Sequence, residues 1–219
     1  MTDASKPWLA SYPKGVPETI DPLSAGTIAD AIDESTRRFA SRPAFESFGK
    51  RLTFDEVRRA SDAVLCWLQA KGFVKGDRIA IMMPNVMAYP VVMFAVLRGG
   101  YTVVNVNPLY TPRELEHQLN DSGAKALVVL ENFAHVVQEA RPHLKSVKTI
   151  VLATAGDLLG LKGTIVNLVA RHVKKVVKPF SLDGAERLAA ILSQHKGQTP
   201  AKVAITPDDI AFLQYTGGT

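Results

Sequence analysis

The sequence predicts an α/β protein: a doubly wound, mostly parallel sheet with helices on both faces. Three observations carry this expectation. From Asp77 onward, short apolar runs alternate with helical stretches, the rhythm of strands joined by helical crossovers. The runs are continuously apolar, as in Ala126-Leu-Val-Val-Leu130, which is the pattern of strands buried on both faces. Helix starts are marked by capping boxes, Thr53-Phe-Asp-Glu56 and Thr111-Pro-Arg-Glu114, in which hydroxyl and carboxylate satisfy reciprocal backbone donors.

Taken in order, residues 1–26 hold four prolines with little periodicity and read as an extended N-terminal arm. Thr27 opens a helical pattern (Ile28, Ala31, Ile32, Ser35, Phe39) that ends before Pro43. Ala44–Phe48 and Arg51–Thr53 flank Gly49-Lys50 as a hairpin, and the first capping box then starts a helix with Val57, Ala60, Val64, Trp67 and Leu68 on its apolar face. Arg78–Met83 is the first strand of the main sheet, followed by the apolar helix Met87–Leu97, closed by Gly99-Gly100. Thr102–Val106, Lys125–Leu130 and Thr149–Leu152 are further strands, separated by helices from Thr111 to about Ser122 and from Phe133 to Ala140. These elements make residues 27–154 the α/β sheet subdomain. Residues 155–180 read as a basic amphipathic helix inserted into it, with Ile165, Val166, Val169, Val173, Val176 and Val177 on one face and Arg171, Lys174, Lys175 and Lys178 on the other. Residues 181–219 form a return segment: a helix over Leu182–Ser193, a loop, and a last strand, Ile210–Tyr215.

A chain of 219 residues with 47% apolar side chains can bury a substantial core. Its start, Met1-Thr-Asp-Ala-Ser-Lys-Pro7, lacks the basic end and apolar run of an export signal, and no stretch approaches the roughly 18 apolar residues of a membrane span. A cytoplasmic protein is expected, and the one cysteine, Cys66, has no partner for an internal disulfide. The net charge of +5 is concentrated: residues 155–180 hold five bases (Lys162, Arg171, Lys174, Lys175, Lys178) against Asp157 alone. A nucleic-acid surface would spread its charge more widely. His117, His135, His143, His172 and His195 lack the spacing of a zinc site, and Cys66, in mid-helix beside Trp67, reads as a buried, inert thiol. Asp208 and Asp209 read as capping or solvated groups ahead of the last strand.

The segment richest in chemistry is the last one. Ile210-Ala-Phe-Leu-Gln-Tyr-Thr-Gly-Gly-Thr219 runs an apolar strand into a turn of glycines and hydroxyls, where backbone N–H groups can approach a polyphosphate closely. Such loops continue with a lysine and a helix N-terminus, so the motif reads as the first half of a phosphate cradle in a longer protein.

With Leu52-Thr-Phe-Asp-Glu56, Gly76-Asp-Arg-Ile-Ala-Ile81, Met83-Pro-Asn85, Gly99-Gly-Tyr-Thr-Val-Val-Asn-Val-Asn-Pro108 and Arg113-Glu-Leu115 in the same order, the chain resembles the N-terminal region of the adenylate-forming acyl- and aryl-CoA synthetases. Within that superfamily, Leu213–Thr219 and the basic insert look most like bacterial long-chain fatty-acyl-CoA synthetases. Gly217 stands where serine is commoner, which removes a hydroxyl and keeps the backbone cradle. The resemblance implies that Tyr215, Thr216, Gly217, Gly218 and Thr219 bind ATP phosphates, with Thr216 near a magnesium ion. It also implies coenzyme A as co-substrate and fatty acid and ATP as partners, and it places no catalytic residue within the chain, so the 219 residues alone are expected to be inactive.

Two further partners are carried as expectations: a homodimer, and an anionic membrane surface reached through Arg171, Lys174, Lys175 and Lys178. For that basic helix, simple packing of its apolar face against the core stands as an equal alternative. An autonomous α/β binding module, associating with a membrane or partner protein, is the alternative to the ligase.

Overall fold

The computed structural model describes residues 6–19 and 26–216. In the N-terminal arm, Pro7–Ser11 forms a 3₁₀ turn. The chain then runs through α1 (Ile28–Arg38), β1 (Pro43–Ser47), β2 (Lys50–Thr53), α2 (Phe54–Ala70), β3 (Arg78–Met82), α3 (Ala88–Arg98), β4 (Thr102–Asn105), α4 (Pro112–Ser122), β5 (Ala126–Leu130), α5 (Ala134–Ala140), β6 (Thr149–Ala153), α6 (Leu161–Leu168), β7 (Glu186–Arg187), α7 (Leu188–Gln194) and β8 (Phe212–Gln214).

The capping boxes form as expected. At Thr53 and Thr111 the hydroxyl accepts the N–H of the residue three on, and the glutamate there accepts the threonine N–H in return; Thr27 and Asp30 do the same for α1. β1 and β2 pair antiparallel, but the turn lies one residue earlier than expected: Ser47 pairs with Lys50, so Phe48 and Gly49 are its two central residues. Both are left-handed, with φ of 49° and 70°. That geometry matches the twist of the flanking strands.

Six strands form one sheet in the order β7-β6-β5-β3-β4-β8, parallel at every pairing. Alternate residues enter two different cores. Ile79, Ile81 and Val128 pack with α1, α2, α3 and α7, whereas Ala80, Met82 and Val129 pack with α4 and α5. The chain steps from β3 to β4 through α3 on the first face, then reverses past β3 to β5 through α4 on the second, as right-handed crossovers require. On the first face Arg98 of α3 ties the helices together: Nη1 donates to Asp62 of α2 at 2.7 Å and Nε to Asp33 of α1 at 2.5 Å.

The inserted helix differs from its expected form. α6 is continued by a single π turn, Val169–Val173, in which Lys174 N–H reaches the Val169 carbonyl at 2.8 Å. Lys175, at φ 50°, ends it. Val176, Val177 and Lys178 are therefore not helical, and the extra residue of the π turn breaks the 3.6-residue register on which the expected faces rested. The expected helix over Leu182–Ser193 likewise begins only at Leu188, because Glu186 and Arg187 pair with Val151 and Leu152 as the edge strand β7.

Candidate functional site

Parallel strands bring their carboxyl ends to one edge of the sheet, where ligands of open α/β sheets bind. Here β8 lies beside β4, with Leu213 opposite Val104 and Gln214 opposite Asn105, so Tyr215 and Thr216 emerge next to Val106 and Asn107. Asn105 is the hub of this edge. Its Oδ1 accepts from the Tyr89 hydroxyl at 2.8 Å, its Nδ2 donates to Gln214 Oε1 at 2.9 Å, and its carbonyl accepts from Gln118 Nε2 at 2.7 Å. Gln118 is buried, and its Oε1 has no partner among the described residues.

The sequence carried a sign of this hub, the polar Asn105 interrupting the otherwise apolar stretch Val103–Val106. The link to Gln214 depends on strand pairing across more than a hundred residues and had no local mark.

Of the five residues expected to hold phosphates, Gly217, Gly218 and Thr219 lie outside the described residues. Thr216 is exposed at the end of β8. Tyr215 turns back into the protein, where its hydroxyl donates to the Asp121 carboxylate on α4. Burial, with that hydrogen bond, pushes the phenol pKa up to about 12.

The approach to β8 is fastened at both ends. Asp209 accepts the Thr206 N–H at 2.7 Å and pairs with Lys75 Nζ at 2.6 Å, and the Thr102 hydroxyl donates to the Ile210 carbonyl. The Lys75 hydrogen bond holds the Asp209 carboxyl below its usual range. Asp209 thus caps the turn before the strand, as its position suggested.

Among the described residues no three His, Cys, Asp or Glu side chains converge as a metal site. Cys66 is buried, and burial raises its thiol pKa, the opposite of nucleophile activation.

Arg171 does not belong to a free basic face. It donates through Nε and Nη2 to the buried Glu131 carboxylate, the shortest contact being 2.6 Å, at the end of β5. The same corner holds buried Asp157, which accepts the N–H and hydroxyl of Thr154. Desolvation raises the Asp157 pKa, and the neighbouring Glu131 charge adds to the effect.

With this geometry in place, comparison with known proteins separates the two functional readings. The AMP-binding enzyme family matches residues 32–219. The chain belongs to this family.

Curated relatives include a long-chain-fatty-acid–CoA ligase of Escherichia coli O6:H1, 44% identical over 98% of the chain. A protein of the same name from Bacillus subtilis is 32% identical over 99% of it. The chain spans 38% of the length of each.

Among solved structures, the anthranilate CoA ligase AuaEII in complex with anthranoyl-AMP superposes on 88% of the chain and 32% of its own, with a TM-score of 0.71 at 18% identity. That likeness establishes that this AMP-binding domain shares the fold of the neighbour. The autonomous binding module is not favoured by these matches.

Proposed function

We propose that the chain is the N-terminal part of an ATP-dependent long-chain fatty-acid–CoA ligase, which converts fatty acid and ATP to an acyl-adenylate and pyrophosphate and then passes the acyl group to the thiol of coenzyme A. The observation that carries this reading is the match at 44% identity across 98% of the chain to a relative of that name.

The placement of the terminal strand supports it. An acid carboxylate that attacks an α-phosphate meets like charge, so the site must hold the phosphates rigidly and stabilise the charge that accumulates. β8 delivers Thr216 to the carboxyl edge of the sheet, and the Asn105–Gln214 bond and the Tyr215–Asp121 contact fix the two residues that precede it.

In this reading Thr216 to Thr219 line the phosphates. A magnesium ion would supply Lewis-acid charge stabilisation when bound. The residues present fit a minor protein share in that site: Thr216 offers one exposed hydroxyl, and no carboxylate cluster stands nearby among the described residues, so phosphate and water oxygens would complete the shell. Among the described residues no helix is long and apolar enough to cross a membrane. A cytoplasmic ligase whose acid dissolves in lipid gains from touching the membrane surface.

The test is ATP–pyrophosphate exchange and acyl-CoA formation with palmitate. The complete product of the gene is expected to support both, and the 219-residue chain alone neither. Acyl-CoA formation by the 219 residues, or none by the complete product, would overturn the proposal.

A further inference from the structure

We propose that Asn105 is a positioning residue for the ATP phosphates: it fixes the register of β8, and so the point at which the phosphate loop leaves the sheet. This inference rests on the ligase reading. β8 is only 3 residues long and ends the strand order, paired with β4 alone among the described residues. A slip of one residue along β4 is opposed by side-chain alternation, since it would turn Leu213 and Tyr215 out of the core on the second face. A slip of two residues keeps the faces and moves Thr216 by about 6.6 Å. The Thr102 hydroxyl does not prevent it, because it bonds the Ile210 carbonyl, a group that every residue offers. The bond between Asn105 Nδ2 and Gln214 Oε1 joins two side chains and exists in one register alone.

Asn105 is itself held for this task. The Tyr89 hydroxyl on α3 donates to its Oδ1, which orients the amide with Nδ2 towards β8, and Gln118 on α4 holds its carbonyl. Both helix layers thus converge on one residue of β4. Beside Gln214, Tyr215 is tied to Asp121 on α4, so the two residues ahead of Thr216 are gripped from opposite faces of the sheet.

The residue type points the same way. Val103, Val104 and Val106 suit a buried strand, whereas asparagine is disfavoured in one. An apolar side chain at this position would serve β4 better, and the amide breaks that local rule in return for what it does to β8.

The test uses the complete product of the gene and reads its two half-reactions separately: ATP–pyrophosphate exchange with palmitate, and acyl transfer from synthetic palmitoyl-adenylate to coenzyme A. For Asn105→Val, kcat/KM for ATP in the exchange is expected to fall about tenfold. That is less than the roughly hundredfold that a misplacement of about 1 Å can cost, because the Tyr215–Asp121 contact remains. The KM for palmitate and the transfer step, which contains no pyrophosphate, are expected to stay within about twofold. The melting temperature is expected to stay within about 3 °C, the β-branched side chain offsetting the lost hydrogen bonds. Should that variant fail to fold, Gln214→Leu removes the same bond from an exposed position and decides, with a similar loss expected. The double variant is expected to fall no further than Asn105→Val alone. Exchange within about twofold of the parent in a folded variant, equal slowing of both half-reactions, or additive losses would each overturn the proposal. An active parent whose variants match it removes this inference and leaves the ligase reading standing; a parent without exchange removes the ligase reading and this inference with it.

Discussion

Replacing Glu131 by glutamine keeps the shape of the corner where α6 is fastened and removes its charge. The Glu131 side chain is 3% exposed and receives Arg171, whose side chain is 38% exposed, while Arg187 stands 3.9 Å away. Hydrogen bonds to a charged partner contribute about 1.5–3 kcal/mol and neutral ones about 0.5–1.5 kcal/mol. Solvent reaches Arg171, so the upper end of the difference is discounted. The relief of Asp157, whose pKa the Glu131 charge helps to raise, offsets a further small part.

The expected net loss is about 0.5–1 kcal/mol, or roughly 1–4 °C in melting temperature for a chain of this size. Thermal unfolding of Glu131→Gln, Arg171→Met and the double variant gives the coupling energy, and hydrogen exchange locates it. Protection is expected to fall over residues 161–173 and to hold in β3 and β5. A coupling below about 0.5 kcal/mol, or exchange spread evenly over the sheet, would refute the view that this pair fastens α6.

Gly163→Ala tests the same docking through shape. A Cβ there would lie 2.0 Å from the Gly156 carbonyl oxygen, so α6 must move away. The gain of about 1 kcal/mol in helix propensity is expected to be outweighed, leaving a net loss of roughly 1–3 kcal/mol in chemical denaturation; a more stable variant would count against the close contact. Tyr215 offers a pH test. Its folded pKa is raised to about 12, so the native state holds this proton more tightly than the unfolded chain, and the stability it contributes is complete below an unfolded value of about 10 and is lost as pH rises towards 12. Burial also raises Tyr89 and Tyr101, so ultraviolet titration is expected to show several late phenols, one fewer in Tyr215→Phe and one titrating earlier in Asp121→Asn; an unchanged late group in Asp121→Asn would contradict the contact.

Much of this was legible in the sequence because it is local. A capping box is written within four residues, so Thr53–Glu56 and Thr111–Glu114 declared their helices outright. The core strands were readable because burial on both faces demands unbroken apolar runs, and β3, β5 and β6 have them. β7 escaped notice because two residues, Glu186 and Arg187, show no period and owe their strand state to β6. The Asn105 hub escaped for a related reason: its partners Tyr89, Gln118 and Gln214 come from three other elements.

α6 separates the two kinds of knowledge most sharply. Composition alone determined that residues 155–180 are basic, apolar and helical in tendency, and that the chain ends in a strand followed by a hydroxyl- and glycine-rich turn. Only the tertiary structure decided which way the helix faces. The sequence rule that apolar side chains turn inward assumes that the core has room for them. Here the corner offers a backbone contact that only Gly163 fits, and the polar groups of Gly156, Thr154 and Glu131, which Asn167 and Arg171 satisfy. Buried polar groups left unpaired cost more than a few apolar side chains left in water, so Asn167 and Arg171 turn in, with Val166 packed on the core, and Leu161 and Leu168 turn out.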